Sequence, residues 1–278
     1  MKKILIIGEN SYIGSSFEAF AKDKYDIQVV SSLNDIWKSV DFTAYDSVLH
    51  CAGIVHVKQN RKVESLYYKI NCDLAVAVAD KAKRENVKQF IFLSSMAVYG
   101  TAVTEIDKDT LPKPNKGDFY GNSKCKAEQE LQKLADDNFK LCIVRPPMVY
   151  GKGCKGNFPR LVKLAKMTPI FPDYPNKRSM IYIDNLCKFF CELVDNNSNG
   201  IFLPQNKEYV RTTELVRCVA ERYGKRIVMT KLFNPLIRVL VKRVSVLEKL
   251  FGDLCYKQEG NTNDVVGFEE GVKKSIDL

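Results

Sequence analysis

Lys3-Ile-Leu-Ile-Ile-Gly8-Glu-Asn-Ser-Tyr-Ile-Gly14 opens the chain with a short apolar run, a turn bracketed by glycines and the first residues of an amphipathic stretch. A run this short, apolar at every second and every first position, reads as a strand buried on both faces. Gly8 permits the tight turn after it, and Gly14 permits close packing of the following helix on the strand. The same grammar repeats downstream. Strands are expected at Lys3–Ile7, Ile27–Val30, Ser47–His50, Gln89–Leu93 and Leu141–Val144, and helices at Tyr12–Ala21, Glu64–Glu85 and Phe119–Leu134. The segment Leu33–Phe42 is too short and mixed to assign. Buried strands alternating with helices predict an α/β fold, a Rossmann-like doubly wound parallel sheet covered on both sides.

After Arg145 the texture changes. Pro146, Pro147, Gly151, Gly153, Gly156 and Pro159 crowd one stretch, and Pro169, Pro172 and Pro175 follow. Such punctuation marks loops more than core. Residues 1–150 are therefore expected to form the dinucleotide-binding domain, and residues 151–278 a smaller, mostly helical substrate-binding region, with some segments returning to the sheet. Helices are expected there at Asn185–Val194, Thr213–Tyr223 and Pro235–Leu250. The last belongs to a basic amphipathic segment, Asn234–Leu250, expected to pack its apolar face on the C-terminal region. Lying on an anionic membrane surface is the alternative.

Bulk properties exclude several classes. The 278 residues, 45% hydrophobic and 27% charged, are ordinary for a soluble globular protein. No apolar run is long enough to cross a bilayer, so no stable membrane insertion is expected, and Met1–Gly8 reads as a strand rather than a leader. The nine cysteines form no Cys-x-x-Cys pair, and His50 and His56 are the only histidines. A metal cluster is therefore not expected, and buried thiols fit a reducing, cytoplasmic setting. The net charge of +10 is spread along the chain without an arginine-rich arm or interleaved aromatics. A solvated basic surface explains it better than a nucleic-acid footprint.

Three features carry chemistry. A glycine loop between a strand and a helix is where the phosphates of a dinucleotide approach a helix N-terminus, which makes Gly8, Ser11, Tyr12, Ile13 and Gly14 cofactor candidates. Ser11 stands where a middle glycine is common; its side chain would narrow the approach, cap the helix or bond a phosphate. The end of the second strand reads Val29-Val30-Ser31-Ser32, with no acid before Asp35 to hold a ribose and no arginine for a 2′-phosphate. NAD and NADP both stay open, with Ser31 beside either. Second, Tyr120-Gly-Asn-Ser-Lys124 places a phenol and an ammonium at i and i+4 on one helical face. A cation so placed favours the phenolate, building a proton donor and acceptor for alcohol–ketone chemistry without a metal. Ser95, upstream, is the third feature.

These features together resemble the extended short-chain dehydrogenase/reductase superfamily, in its NAD-dependent epimerase/dehydratase branch. The likeness covers His50-Cys-Ala-Gly53, Asn71, Leu93-Ser-Ser-Met-Ala-Val-Tyr-Gly100, Arg145-Pro-Pro-Met-Val-Tyr-Gly151, Arg178-Ser-Met-Ile-Tyr-Ile-Asp184 and Gly267-Phe-Glu-Glu-Gly271 as well as the stretches above. The resemblance implies that Tyr120 is the general acid/base, that Lys124 lowers its pKa and bonds the nicotinamide ribose, and that Ser95 holds the reacting oxygen, with Ser94 as runner-up. It implies that Ala52, Gly53 and Asn71 line the cofactor, although Asn71 could equally be a capped or solvated side chain. Arg178 falls where relatives bind a substrate diphosphate, with Asn157 as a candidate partner. Asp184 is read as a helix cap.

Pro147 departs from the pattern. Several sugar epimerases carry asparagine there, and proline has no N–H to offer. The whole looks like enzymes of bacterial surface-polysaccharide sugar synthesis. The function expected is hydride transfer at C4 of a UDP-hexose or UDP-N-acetylhexosamine by an NAD(P)-dependent epimerase. NADPH-dependent 4-keto reduction of a UDP-deoxysugar is the close alternative, and a non-enzymatic dinucleotide-sensing or nucleic-acid-binding protein on the same fold is the alternative of another class. A dehydratase is disfavoured because Met96-Ala97 stands where 4,6-dehydratases have an acidic pair. The resemblance also implies a homodimer through the helices carrying Asn71 and Tyr120.

Overall fold

The computed structural model describes residues 1–55, 63–258 and 264–276; His56 lies outside them. In chain order the first elements are β1 (Lys3–Ile7), α1 (Tyr12–Ala21), β2 (Asp26–Val30), β3 (Ser47–His50), α2 (Glu64–Tyr68), α3 (Leu74–Arg84), β4 (Gln89–Leu93) and β5 (Glu105–Ile106). Next come α4 (Phe119–Gln132), β6 (Lys140–Val144), β7 (Met148–Tyr150), α5 (Asn157–Met167), β8 (Ile170–Pro172), β9 (Met180–Tyr182) and α6 (Ile183–Asp195). The last are β10 (Gly200–Phe202), α7 (Thr212–Arg222), β11 (Val228–Thr230), α8 (Asn234–Leu240), α9 (Ser245–Phe251), β12 (Cys255–Tyr256) and α10 (Phe268–Lys274).

The chain divides into two compact units. The first comprises residues 1–101, 108–146 and 186–204, and the second residues 102–107, 147–185 and 205–278. The first unit is the expected α/β Rossmann-like body. Its six strands run β10-β6-β4-β3-β1-β2, all parallel. The strands are short and apolar on both faces because helices cover both, and β1, β3 and β4 are buried at nearly every position. Strand order reverses between β1 and β3, and at such a switch point the chain crosses to opposite faces and opens a crevice at the strands' C-terminal ends. Gly8 follows β1 at that point and Cys51 follows β3; the Cys51 and Ala52 amides both donate to the Ile7 carbonyl at 2.9 Å.

Two predicted elements need correction. The expected helix Glu64–Glu85 is not continuous: one turn, Lys69–Asp73, widens to π geometry between α2 and α3. The expected helix Pro235–Leu250 is two short helices, α8 and α9, broken at residues 241–244. The unassigned segment after β2 forms 3-10 turns over Leu33–Ser39, with Asn34 and Asp35 left-handed at φ 52° and 57° and Trp37 buried. Asparagine and aspartate tolerate that region best, which is why no ordinary helical or strand pattern marks it.

The second unit is built on small parallel pairs, β7–β9, β8–β11 and β5–β12, with α5 packed on α7. Its centre is Tyr150, whose hydroxyl accepts from Asn206 Nδ2 at 3.1 Å and whose ring meets Phe158 and Tyr182 at 5.5 Å each. Gly271 admits this ring: a β-carbon there would stand 2.9 Å from the Tyr150 oxygen. All nine cysteines are free thiols, and all but Cys125 and Cys218 are buried.

Candidate active site

Every cofactor and catalytic candidate from the sequence falls in the first unit. Gly8 has φ 132°, and a β-carbon on it would lie 2.8 Å from the Ala52 backbone nitrogen. The loop therefore closes onto the residue after β3 only because Gly8 has no side chain. Ser11 caps α1, its oxygen accepting from the Gly14 amide at 3.3 Å. Tyr12 and Ile13 are the first helical residues, and Gly14 sits against Ile6, where a β-carbon would approach Cγ2 to 3.2 Å. Ser31 lies just past β2, its hydroxyl accepting from the Leu33 amide at 3.3 Å. An open helix start, glycine-lined and free of carboxylates within the loop's first helical turn, suits a diphosphate.

Asn71 is neither a cap nor solvated. It is fully buried in the π turn, its Oδ1 accepting from the Ile54 amide at 2.8 Å. Its Nδ2 donates to the Ile54 carbonyl at 3.1 Å and to Ser123 Oγ at 3.0 Å. Ser123 in turn donates to the Tyr120 carbonyl at 3.0 Å, so Asn71 ties the segment after Gly53 to the first turns of α4. A β-carbon on Gly53 would come within 3.0 Å of Asn71 Oδ1 and 3.5 Å of Lys124 Nζ. Ala52 is buried in the core below.

α4 presents Tyr120 and Lys124. Asp118 caps it, accepting from the Gly121 amide at 3.3 Å. Gly121 lets the helix approach the loop after β4, since a β-carbon there would meet the Ala97 carbonyl oxygen at 2.7 Å. That approach sets the Tyr120 hydroxyl beside the Ser95 side chain, whose influence lowers the phenol's pKa. Ser95 Oγ also accepts from the Ala97 amide at 3.1 Å. Ser94 is turned the other way: buried, it donates to Glu128, which holds a bidentate ion pair with Arg145. Arg145 also donates to the Tyr99 hydroxyl, so Ser94 belongs to a buried polar network and not to the Tyr120 cluster.

The electrostatics differ from the expectation that Lys124 lowers the Tyr120 pKa. Burial pushes the phenol up to about 12, opposed by the Ser95 hydrogen bond. Lys124 is itself buried and pushed down to about 8, with Cys51 and Glu128 opposing. Its Nζ donates to the Leu93 carbonyl at 2.8 Å and stands 4.5 Å over the Phe92 ring. A desolvated ammonium directed to a carbonyl and a ring face does little for a phenolate, whatever their helical spacing.

The second unit holds the substrate candidates. Arg178 is half-buried between Val210 and Leu254, and one terminal nitrogen donates to the Gly252 carbonyl at 2.8 Å. Asn157 is exposed at the start of α5. Asp184 lies in the first turn of α6 rather than at its cap. Ser123 and Gly121 were missed by the sequence reading. The signal was available inside Tyr120-Gly-Asn-Ser-Lys124, where glycine in an early helical turn implies a close neighbour. Among the described residues no group of three or more His, Cys, Asp or Glu is placed to hold a metal ion.

A switch-point glycine loop, with a tyrosine and a buried lysine one turn apart on α4, defines an NAD(P)-dependent enzyme of the short-chain dehydrogenase/reductase type. Residues 4–203 match the NAD dependent epimerase/dehydratase family, and the chain belongs to that family. It is 31% identical over 250 residues to a UDP-glucose 4-epimerase of Vibrio cholerae, covering 79% of this chain and 75% of that protein. It is 26% identical to the N-acetyl-alpha-D-glucosaminyl-diphospho-ditrans,octacis-undecaprenol 4-epimerase of Escherichia coli O157:H7, over 90% of this chain and 81% of the relative. Among solved structures, the fold is shared with UDP-glucuronic acid 4-epimerase from Bacillus cereus at a TM-score of 0.73, 20% identity and coverage of 98% and 94% of the two chains.

Proposed function

We propose that the protein inverts C4 of a UDP-hexose or UDP-N-acetylhexosamine, with Ser95, Tyr120 and Lys124 as its catalytic residues. The observation that carries this reading is the close approach of α4 to the loop after β4 at Gly121, which sets Tyr120 and the buried Lys124 beside Ser95 and Gly53. A nicotinamide held there would supply hydride removal at C4 and its return to the opposite face of the sugar, which is what inverts that carbon. The rest falls to side chains: the phenol oxygen of Tyr120 receives the proton of the 4-hydroxyl and gives it back, and Ser95 bonds the same oxygen. Lys124, 3.5 Å from where a β-carbon on Gly53 would stand, bonds a cofactor ribose. Gly8, Ser11, Tyr12, Ile13, Gly14, Ser31, Ala52, Gly53 and Asn71 hold NAD or NADP. Arg178 and Asn157 bind the diphosphate, Arg178 through guanidinium N–H groups beyond the one bonded to Gly252.

Resemblance to 4-epimerases at 31% and 26% identity over most of the chain favours epimerisation over reduction. The Escherichia coli relative is named for a sugar carried on undecaprenol, so polyprenyl-diphospho-N-acetylglucosamine belongs in the substrate screen beside the UDP-sugars. The test is purified protein with UDP-glucose, UDP-N-acetylglucosamine and the lipid-linked sugar, scored for the C4 epimer and for retained NAD. Stoichiometric NADPH oxidation by a 4-keto-6-deoxy sugar without epimerisation would replace this reading with the reductase. Tyr120→Phe should abolish turnover while cofactor binding stays within about threefold; full activity in that variant removes Tyr120 from the mechanism. A homodimer through the helices carrying Asn71 and Tyr120 also fits, since they border a groove of about 610 Å³ lined by Tyr68, Cys72, Val76 and Ala77 together with the charged Asp73, Asp80, Lys126 and Glu130. Analytical ultracentrifugation decides it. No helix among the described residues is long and apolar enough to cross a membrane. We place the protein in the cytoplasm on its nine free thiols.

A further inference from the structure

The second unit contains two stretches that are cationic and free of carboxylates. Residues 151–172 hold five Lys or Arg and no Asp or Glu; residues 222–247 hold seven and none. Both stretches also leave large aliphatic side chains in water. Met167, Ile170, Val228, Leu232, Leu236, Val239 and Val246 are between 49% and 78% exposed. The expected packing of an apolar helix face on this region is only partial: α8 buries Ile237 and α9 buries Phe251, while the remaining large side chains stay partly or fully exposed.

These residues lie on adjoining elements. Ile170 and Val228 are register partners in the β8–β11 pair. Asn234, at the start of α8, donates to the Asp173 carbonyl just past β8 at 2.8 Å. Phe251, at the end of α9, meets the Phe171 and Tyr174 rings at 5.6 Å each. Both short helices therefore flank the same ribbon, with Lys163, Lys166, Lys231, Arg238, Lys242 and Arg243 exposed among the aliphatic side chains.

We propose that α8, α9 and the β8–β11 ribbon are a docking face for an anionic lipid bilayer, on which the protein sits peripherally. Charge and chemistry select this occupant. Cations interspersed with exposed Leu, Val, Ile and Met match a surface with anionic headgroups over hydrocarbon. A nucleic acid would be met by stacking aromatics and polar groups, not by aliphatic side chains. A second copy would oppose two faces whose cations far outnumber the one carboxylate of α9, Glu248, and such faces repel. The proposal is independent of the C4 chemistry, because binding is read without turnover.

The test is co-sedimentation of the full chain with vesicles of phosphatidylcholine alone and of phosphatidylcholine with phosphatidylglycerol, at low and high salt. Enrichment on the anionic vesicles, weakened by salt, is expected. Arg238→Gln/Lys242→Gln/Arg243→Gln should cut the bound-to-free ratio at least about tenfold, at roughly 1 kcal/mol per cation. Leu232→Ser/Leu236→Ser should also weaken it, with circular dichroism unchanged because all five positions are exposed. Absence of enrichment on anionic vesicles overturns the proposal, as does binding that the charge variant leaves undiminished. Self-association abolished by Leu232→Ser/Leu236→Ser without vesicle binding assigns the face to a second copy. Salt-sensitive binding to RNA or DNA in place of vesicles likewise overturns it.

Discussion

Ser94 and Ser95 are neighbours in the chain with separate duties. Ser94 completes the buried Glu128–Arg145 pair, whereas Ser95 faces the Tyr120 hydroxyl. Ser95→Ala should lower kcat by about 10²–10⁴-fold with little change in thermal stability. Ser94→Ala should cost about 1–3 kcal/mol, because Glu128 loses a donor in the core, while kcat is preserved. Equal kinetic losses in both would undo the division. Lys124 allows a test by linkage. Its folded pKa, about 8, lies below the ordinary 10.5, so between those values the unfolded chain holds the extra proton and stability rises with pH. Below pH 8 the burial penalty on the charge is complete. The stability advantage of Lys124→Met over the parent should therefore shrink as pH climbs from 8 to 10.5, measured by denaturant midpoints. A constant difference would mean that the ammonium is not desolvated.

At the scale of elements, the π turn at Lys69–Asp73 was hidden from the sequence, whose 3.6-residue periodicity ran from Glu64 through Glu85 as one helix. One widened turn barely disturbs that period, yet it seats Asn71 between Ile54 and Ser123. Asn71→Leu should lose about 1–3 kcal/mol and loosen cofactor binding, checked by thermal unfolding and cofactor titration. Gly121→Ala tests the approach of α4 to Ala97; it should reduce turnover far more than a mid-helix alanine elsewhere, since the helix must back away. The parallel strands were readable because burial on both faces leaves uninterrupted apolar runs. Tyr120, Lys124 and the glycine loop were readable because their spacing is itself the chemistry. The broken helix at 241–244 was not, because basic and apolar residues alternate there as they do in an unbroken amphipathic helix. Nor was the direction of the phenol's pKa, which depends on burial and on where the lysine points.

For the molecule as a whole, the two units interleave along the chain. Residues 186–204 belong with the sheet and residues 102–107 with the second unit, so each unit is sewn from three segments. Neither can therefore be excised by one cut. The free thiols turn this into something measurable. Burial raises the pKa of Cys51 and Cys142 in the sheet unit to about 12, and that of Cys154 and Cys255 in the other unit upward as well. A protonated, enclosed sulfur reacts with an alkylating probe only when its surroundings open. The cysteines thus act as clocks wired into both halves, and the order in which mass spectrometry finds them labelled will tell which half breathes first.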